Sequence, residues 1–95
     1  MGVHSSVRFT WGEAKRAANL VKHTLDLVDG RRLFDGRKVF SYASTRGNEA
    51  RFVSVGLVDD RMLAVVWVER EDGVRLISLR RARRGEGRQY RELYG

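Results

Sequence analysis

A change of hydrophobic period constrains this chain more than any other feature. Up to Phe34 apolar residues recur at three- and four-residue steps; from Lys38 onward they alternate or run together. The second half carries four strand candidates, Lys38–Ala43, Ala50–Leu57, Met62–Glu69 and Val74–Arg81. The connections Val58-Asp59-Asp60-Arg61 and Arg70-Glu71-Asp72-Gly73 are short and polar. Links of that length join antiparallel neighbours, so the last three strands must form a meander. Met62–Glu69 is nearly all apolar and therefore suits a central strand covered on both sides.

The first half reads as two helices. Residues 7–10 form a short extended lead-in, and Thr10-Trp11-Gly12-Glu13 matches a capping box. A helix from Trp11 to His23 carries Ala14, Ala17, Ala18 and Val21 on one stripe, with Leu20 at its edge. These small side chains would let it sit close to a sheet. A weaker helix spans Asp26–Phe34; Gly30 interrupts it at a cost of ~1 kcal/mol relative to Ala. The tail, Gly85–Tyr94, makes a closing helix in which Tyr90 and Tyr94 share a face. With no repeat or linker in 95 residues, the expectation is one domain over 1–95. Its class is α+β: N-terminal helices packed on one face of an antiparallel β-meander, with a short C-terminal helix.

Charge narrows the function. Nineteen Lys and Arg face twelve Asp and Glu, a formal net charge of +7, and sixteen of the cations are Arg. Guanidinium engages phosphate bidentately and stacks on bases, so a nucleic acid or an acidic protein is the expected partner. There is no cysteine, which excludes disulfides and thiolate metal sites and agrees with a reducing cytoplasm. The apolar run Met62–Val68 is too short to span a bilayer, and Met1–Ser6 lacks the apolar core of a signal peptide. No phosphate-binding loop, nucleophile elbow or dinucleotide fingerprint occurs, and no cofactor is expected. Of the two histidines, His4 lies ahead of residues 7–10, near the N-terminus, and no carboxylates or histidines converge in sequence, so no metal site is expected.

Lys15, Asn19, Lys22 and His23 fall on one helix face at i, i+4, i+7 and i+8. They are either a phosphate-facing site with a group that titrates near neutrality, or the solvated face of an amphipathic helix whose last turn favours cations. Trp11 either stacks on a base or plugs the core. Strict alternation in Val74–Arg81 sets Arg75, Ile77, Leu79 and Arg81 on one face and Val74, Leu76, Ser78 and Arg80 on the other. Arg80 ends a half-buried strand, where it pairs with a carboxylate such as Glu86, contacts phosphate, or does both. Removing it should leave the thermal midpoint close to that of the wild type. Arg80, Arg81, Arg83, Arg84, Arg88 and Arg91 form a local positive field.

Several segments, taken in order, resemble one family. Trp11 opens a helix bearing Lys15, Asn19 and Lys22-His23; Phe34-Asp35 follows, then Glu49-Ala50-Arg51 and Gly56, then Arg75 to Ala82 with Glu86 and Tyr90. This pattern is similar to the BrnT-type toxins of bacterial type II toxin–antitoxin modules. It departs at Gly12, where an acid is usual, at Gly30, where a helix-favouring small residue is usual, and at Gly87, where Arg is common. The resemblance implies a RelE-like ribonuclease fold and RNA cleavage that arrests translation. It also implies neutralisation by a cognate antitoxin, encoded by a neighbouring gene, that carries a DNA-binding element. Metal-free RNA cleavage by 2′-OH attack then gives His23 the acid or base role and Arg80 and Arg51 the phosphate, with Lys22 as electrostatic support. Lys15, Asn19, Arg75, Arg83, Arg84 and Trp11 would contact RNA, and Glu86 and Tyr90 would support the site. The competing classes are a non-catalytic nucleic-acid-binding or regulatory module and a basic protein-interaction domain; RNA turnover separates them.

Overall fold

The computed structural model describes residues 7–44 and 49–95. In chain order the elements are β1 (Arg8–Thr10), α1 (Glu13–His23), a 3₁₀ segment (Leu27–Phe34), β2 (Phe40–Ser44), β3 (Arg51–Val58), β4 (Arg61–Arg70), β5 (Gly73–Arg81) and α2 (Arg84–Tyr94). The fold is α+β. One five-stranded sheet has the order β1-β5-β4-β3-β2. β2 to β5 pair antiparallel, each with the next. The lead-in is a strand in its own right: β1 pairs parallel to β5, from Arg8 opposite Gly73 to Thr10 opposite Arg75, so the sheet is mixed rather than wholly antiparallel. Their approach needs Gly73, where a Cβ would lie 2.0 Å from the Arg8 carbonyl oxygen.

Helices cover both faces of the sheet rather than one. On one face the 3₁₀ segment supplies Leu27 and Leu33 to a core with Leu63, Val65, Leu76 and Leu79. Full burial of each such side chain contributes about 1.5–3 kcal/mol. On the other face Tyr90 of α2 packs on Val53, Val55 and Ala64. The expected helix Asp26–Phe34 is a 3₁₀ segment pressed onto the sheet. A Cβ on Gly30 would lie 2.8 Å from Val65 Cγ2, so Gly30 is the residue that permits the close approach. Tight 3₁₀ winding carries the chain over the sheet in eight residues. The β3–β4 turn is built by Asp59 and Asp60, with φ of +51° and +66°, the left-handed pair of a two-residue hairpin.

Two local expectations give way. The N-cap of α1 is Gly12 and no side chain caps it, while Thr10 belongs to β1; Glu13 instead accepts the Trp11 indole N–H at 2.9 Å. The Ala14, Ala17, Ala18 and Val21 stripe does not face the sheet. All four are exposed, Val21 at 85%, and the buried residue of α1 is Asn19. β5 pairs with β1 only as far as Arg75, so beyond that point its outer edge has no strand neighbour. Asn19 takes the missing place. Its side-chain carbonyl accepts the Leu79 N–H at 2.8 Å, and its amide donates to the Leu79 carbonyl at 3.0 Å and the Leu25 carbonyl at 2.8 Å. The helix is thus fastened to the sheet edge by a side chain that imitates a neighbouring strand.

Candidate active site

A bulge in β5 aims the site. Trp67 pairs with Leu76 and Val66 with Ser78, leaving Ile77 without a partner. The extra residue resets the alternation. Leu76 and Leu79 both enter the core under the 3₁₀ segment, while Ile77, Ser78 and Arg80 line a cleft on the opposite face. The strict two-residue period that grouped Leu79 with Ile77, and Arg80 with Leu76, is therefore broken here.

The cleft measures about 590 Å³. Lys15, Lys22 and His23 of α1 form one wall. Tyr42 and Ser44 of β2, Arg51 of β3, and Ser78 and Arg80 of β5 form the floor, and Arg83 stands at the approach to α2. Seven residues expected from the sequence thus meet: Lys15, Asn19, Lys22, His23, Arg51, Arg80 and Arg83. Asn19 lines the cleft, but its amide is committed to the sheet edge and to Leu25, so it positions α1 rather than reading RNA. Three expected contacts lie outside the cleft lining. Trp11 packs against the core beneath the 3₁₀ segment, with its N–H on Glu13. Arg75 reaches towards Gly12, its Nη2 3.4 Å from where a Cβ would be. Arg84 is exposed at the start of α2. His4 lies outside the described residues.

Arg80 is held from behind. Its Nη1 and Nη2 donate to the two Glu86 carboxylate oxygens at 2.7 and 2.9 Å, and the pair is nearly buried, with side-chain exposures of 14% and 7%. Glu86 also accepts the Tyr42 hydroxyl and the Arg83 backbone N–H, the latter at 2.8 Å. Burial pushes the Glu86 carboxyl up. The Arg80 guanidinium, the Tyr42 hydroxyl and the Arg83 N–H together outweigh burial and hold it at about 2. Glu86 is therefore an anion saturated with donors, unsuited to act as a base. Burial and the Glu86 charge raise the Tyr42 hydroxyl above its ordinary range. Glu86 in turn raises Arg80 against the effect of burial.

A guanidinium has five N–H groups. Glu86 takes one from each terminal nitrogen of Arg80, and the second Nη1 hydrogen points to the Arg81 carbonyl at 3.3 Å. The Nε–H and the remaining Nη2–H, which form the side edge of the fork, are committed to no carboxylate. Across the floor, Arg51 Nε is buried without a hydrogen-bond partner, alone in this among buried side-chain nitrogen and oxygen atoms of the described residues. An unmet donor in a cleft is costly until a ligand or water meets it. His23 lies below its ordinary pKa through burial first, then the charges of Lys22 and Arg80, so at neutral pH it is mainly neutral and can accept a proton. Tyr42, Ser44 and Ser78 escaped the sequence reading. For Tyr42 the signal was available: it alternates with Phe40 on an apolar strand face, where a phenol needs a polar partner. The serines carried no such signal.

Among the described residues no three of His, Cys, Asp and Glu come together as metal ligands, and no helix is long and apolar enough to cross a membrane. Among curated proteins none matches the chain. The family described as "Ribonuclease toxin, BrnT, of type II toxin-antitoxin system" matches residues 11–86, which include α1, the whole floor of the cleft, and Glu86. The chain belongs to the BrnT family of ribonuclease toxins of type II toxin–antitoxin systems.

Proposed function

We propose that the cleft cleaves RNA without a metal ion, by attack of a 2′-hydroxyl on the adjacent phosphorus. The carrying observation is that one cleft brings together Arg51, whose buried Nε has no hydrogen-bond partner, the Glu86-held guanidinium of Arg80, and a largely neutral His23. His23 takes the 2′-OH proton. The new O–P bond forms as the 5′-O–P bond breaks, and the departing 5′-oxygen takes a proton from solvent water, leaving a 2′,3′-cyclic phosphate and a 5′-hydroxyl. The side edge of Arg80 holds the phosphate bidentately, and Arg51 and Lys22 offset the charge that builds on its oxygens. With no second imidazole among the described residues, rate enhancement rests mainly on positioning and electrostatics. The topology is read as RelE-like. The protein partner is an antitoxin from a neighbouring gene that brings its own DNA-binding element and neutralises the toxin.

The test is cleavage of single-stranded RNA in excess chelator, with analysis of the product ends. Cyclic phosphate termini formed in EDTA are expected, with Arg51→Ala and His23→Ala each slowing turnover by about 10²-fold or more at unchanged thermal midpoint. Activity that vanishes in EDTA and returns with Mg²⁺ or Mn²⁺ would show the metal-free mechanism to be wrong.

A further inference from the structure

The arginines of α2 stand together, exposed, on one helix outside the ion pairs, whereas Arg31, Arg61, Arg75 and Arg81, also outside them, are scattered over other elements. Among the described residues, six arginines elsewhere are neutralised in ion pairs: Arg8, Arg16, Arg32, Arg37, Arg70 and Arg80. Arg84, Arg88 and Arg91 are exposed and appear in no such pair. Their spacing of four and three residues sets them on one stripe of the helix, away from the buried Tyr90. Arg83 lines the cleft one residue before α2 begins, so the stripe starts at the cleft mouth. Glu92 is the one carboxylate near its outer end.

We infer that this stripe is a second phosphate-binding track, which carries the part of the substrate strand lying outside the cleft. The inference rests on the ribonuclease reading above and narrows its substrate to single strands long enough to reach α2. From Arg84 to Arg91 the helix advances about 10 Å, long enough to meet more than one phosphate of an extended strand. The stripe has no large apolar side chain at its centre, which a protein partner would need as an anchor. Evenly spaced cations without such an anchor suit a polyphosphate backbone, contacted without regard to base.

The test compares cleavage of a short oligonucleotide that only spans the cleft with one about ten nucleotides longer. Wild type should prefer the longer strand at low salt. Arg88→Gln/Arg91→Gln should lower that preference about tenfold at roughly 50 mM salt and reduce the salt slope by ~1.4, at 0.7 per phosphate. Its kcat/KM on the short strand should equal that of wild type. Arg88→Lys/Arg91→Lys should keep the preference, because a backbone phosphate needs charge rather than a fork. If wild type shows no length preference, or the Gln variant keeps it, the track does not exist. If the Gln variant handles RNA as wild type does but fails to bind the antitoxin, α2 is a protein-docking face and the inference falls. If wild type cleaves neither strand, the ribonuclease reading itself fails, an outcome distinct from the others.

Discussion

Arg80 and Glu86 show how one residue can be structural and functional at once. Removing Arg80 would strand a buried carboxylate, and breaking a buried pair costs about 3–5 kcal/mol. The sequence-level expectation that Arg80→Ala leaves the thermal midpoint unchanged is therefore replaced: both stability and activity should fall. Arg80→Lys keeps the charge and loses the fork, so calorimetry should place it between wild type and Arg80→Ala, with cleavage impaired in both. The carboxyl itself links stability to acid. Glu86 titrates near 4.5 when unfolded and at about 2 when folded. Its contribution, roughly 3 kcal/mol, is complete above the unfolded value and disappears as pH falls through the folded one. Chemical denaturation across that window should show the loss, and Glu86→Gln should flatten it; an unaltered acid slope would remove Glu86 from the account. His23 gives the complementary prediction for rate. As the base, it should make log kcat/KM rise with pH and level off above an apparent pKa below 6.5, and His23→Ala should remove that step.

At the scale of elements, α1 is held by polar groups rather than by its apolar stripe. Asn19→Ala would leave the Leu79 N–H and two backbone carbonyls without their partner, a cost of about 2–4 kcal/mol, and would loosen the wall that carries Lys15, Lys22 and His23. Val21→Gln, on the same helix but 85% exposed, should change stability by no more than about 0.5 kcal/mol. Denaturation of the two variants side by side decides which face docks; the reverse ranking would mean the stripe is covered. The 3₁₀ segment offers a test of sign. Gly30→Ala gains about 1 kcal/mol of helix propensity where the chain is unconstrained. Here the added Cβ meets Val65 Cγ2 at 2.8 Å, and overpacking of about 1–3 kcal/mol should win. A more stable Gly30→Ala would show that the segment can lift from the sheet.

Across the whole molecule, charge is segregated rather than merely abundant. A net charge of +7 could be spread evenly, but seven of the twelve carboxylates pair with arginines of β1, α1, the 3₁₀ segment and its following loop, β4 and, through Glu86, Arg80 of β5. Apart from Arg80, the cations that line the cleft and those of α2 enter no ion pair among the described residues, so the field is positive where a polyanion would lie. Induced expression in bacteria should therefore halt growth, and co-expression of the neighbouring gene should restore it. Normal growth at verified soluble expression would count against the toxin acting in this way.

Much of this architecture follows from residue order alone. The change of period at Phe34, the two polar links and the apolar Met62–Val68 segment determined the α+β class and the antiparallel neighbours, because these are local signals read along one element at a time. Charge and spacing likewise marked Lys15, Lys22, His23, Arg80 and Arg83, and the family resemblance marked Arg51. Three matters were decided only in the folded molecule. The face by which α1 docks depended on a free strand edge that Asn19 could fill, and that edge exists only once β1 stops short on β5. The direction of Arg80 depended on a single unpaired residue, Ile77, and a bulge leaves no mark in a sequence whose alternation looks intact. Tyr42 joined the site because β2 pairs with β3 and brings the phenol up to Glu86, two residues 44 positions apart in the chain. Period and composition are properties of neighbours in sequence; edges, bulges and long-range partners arise only when distant segments meet.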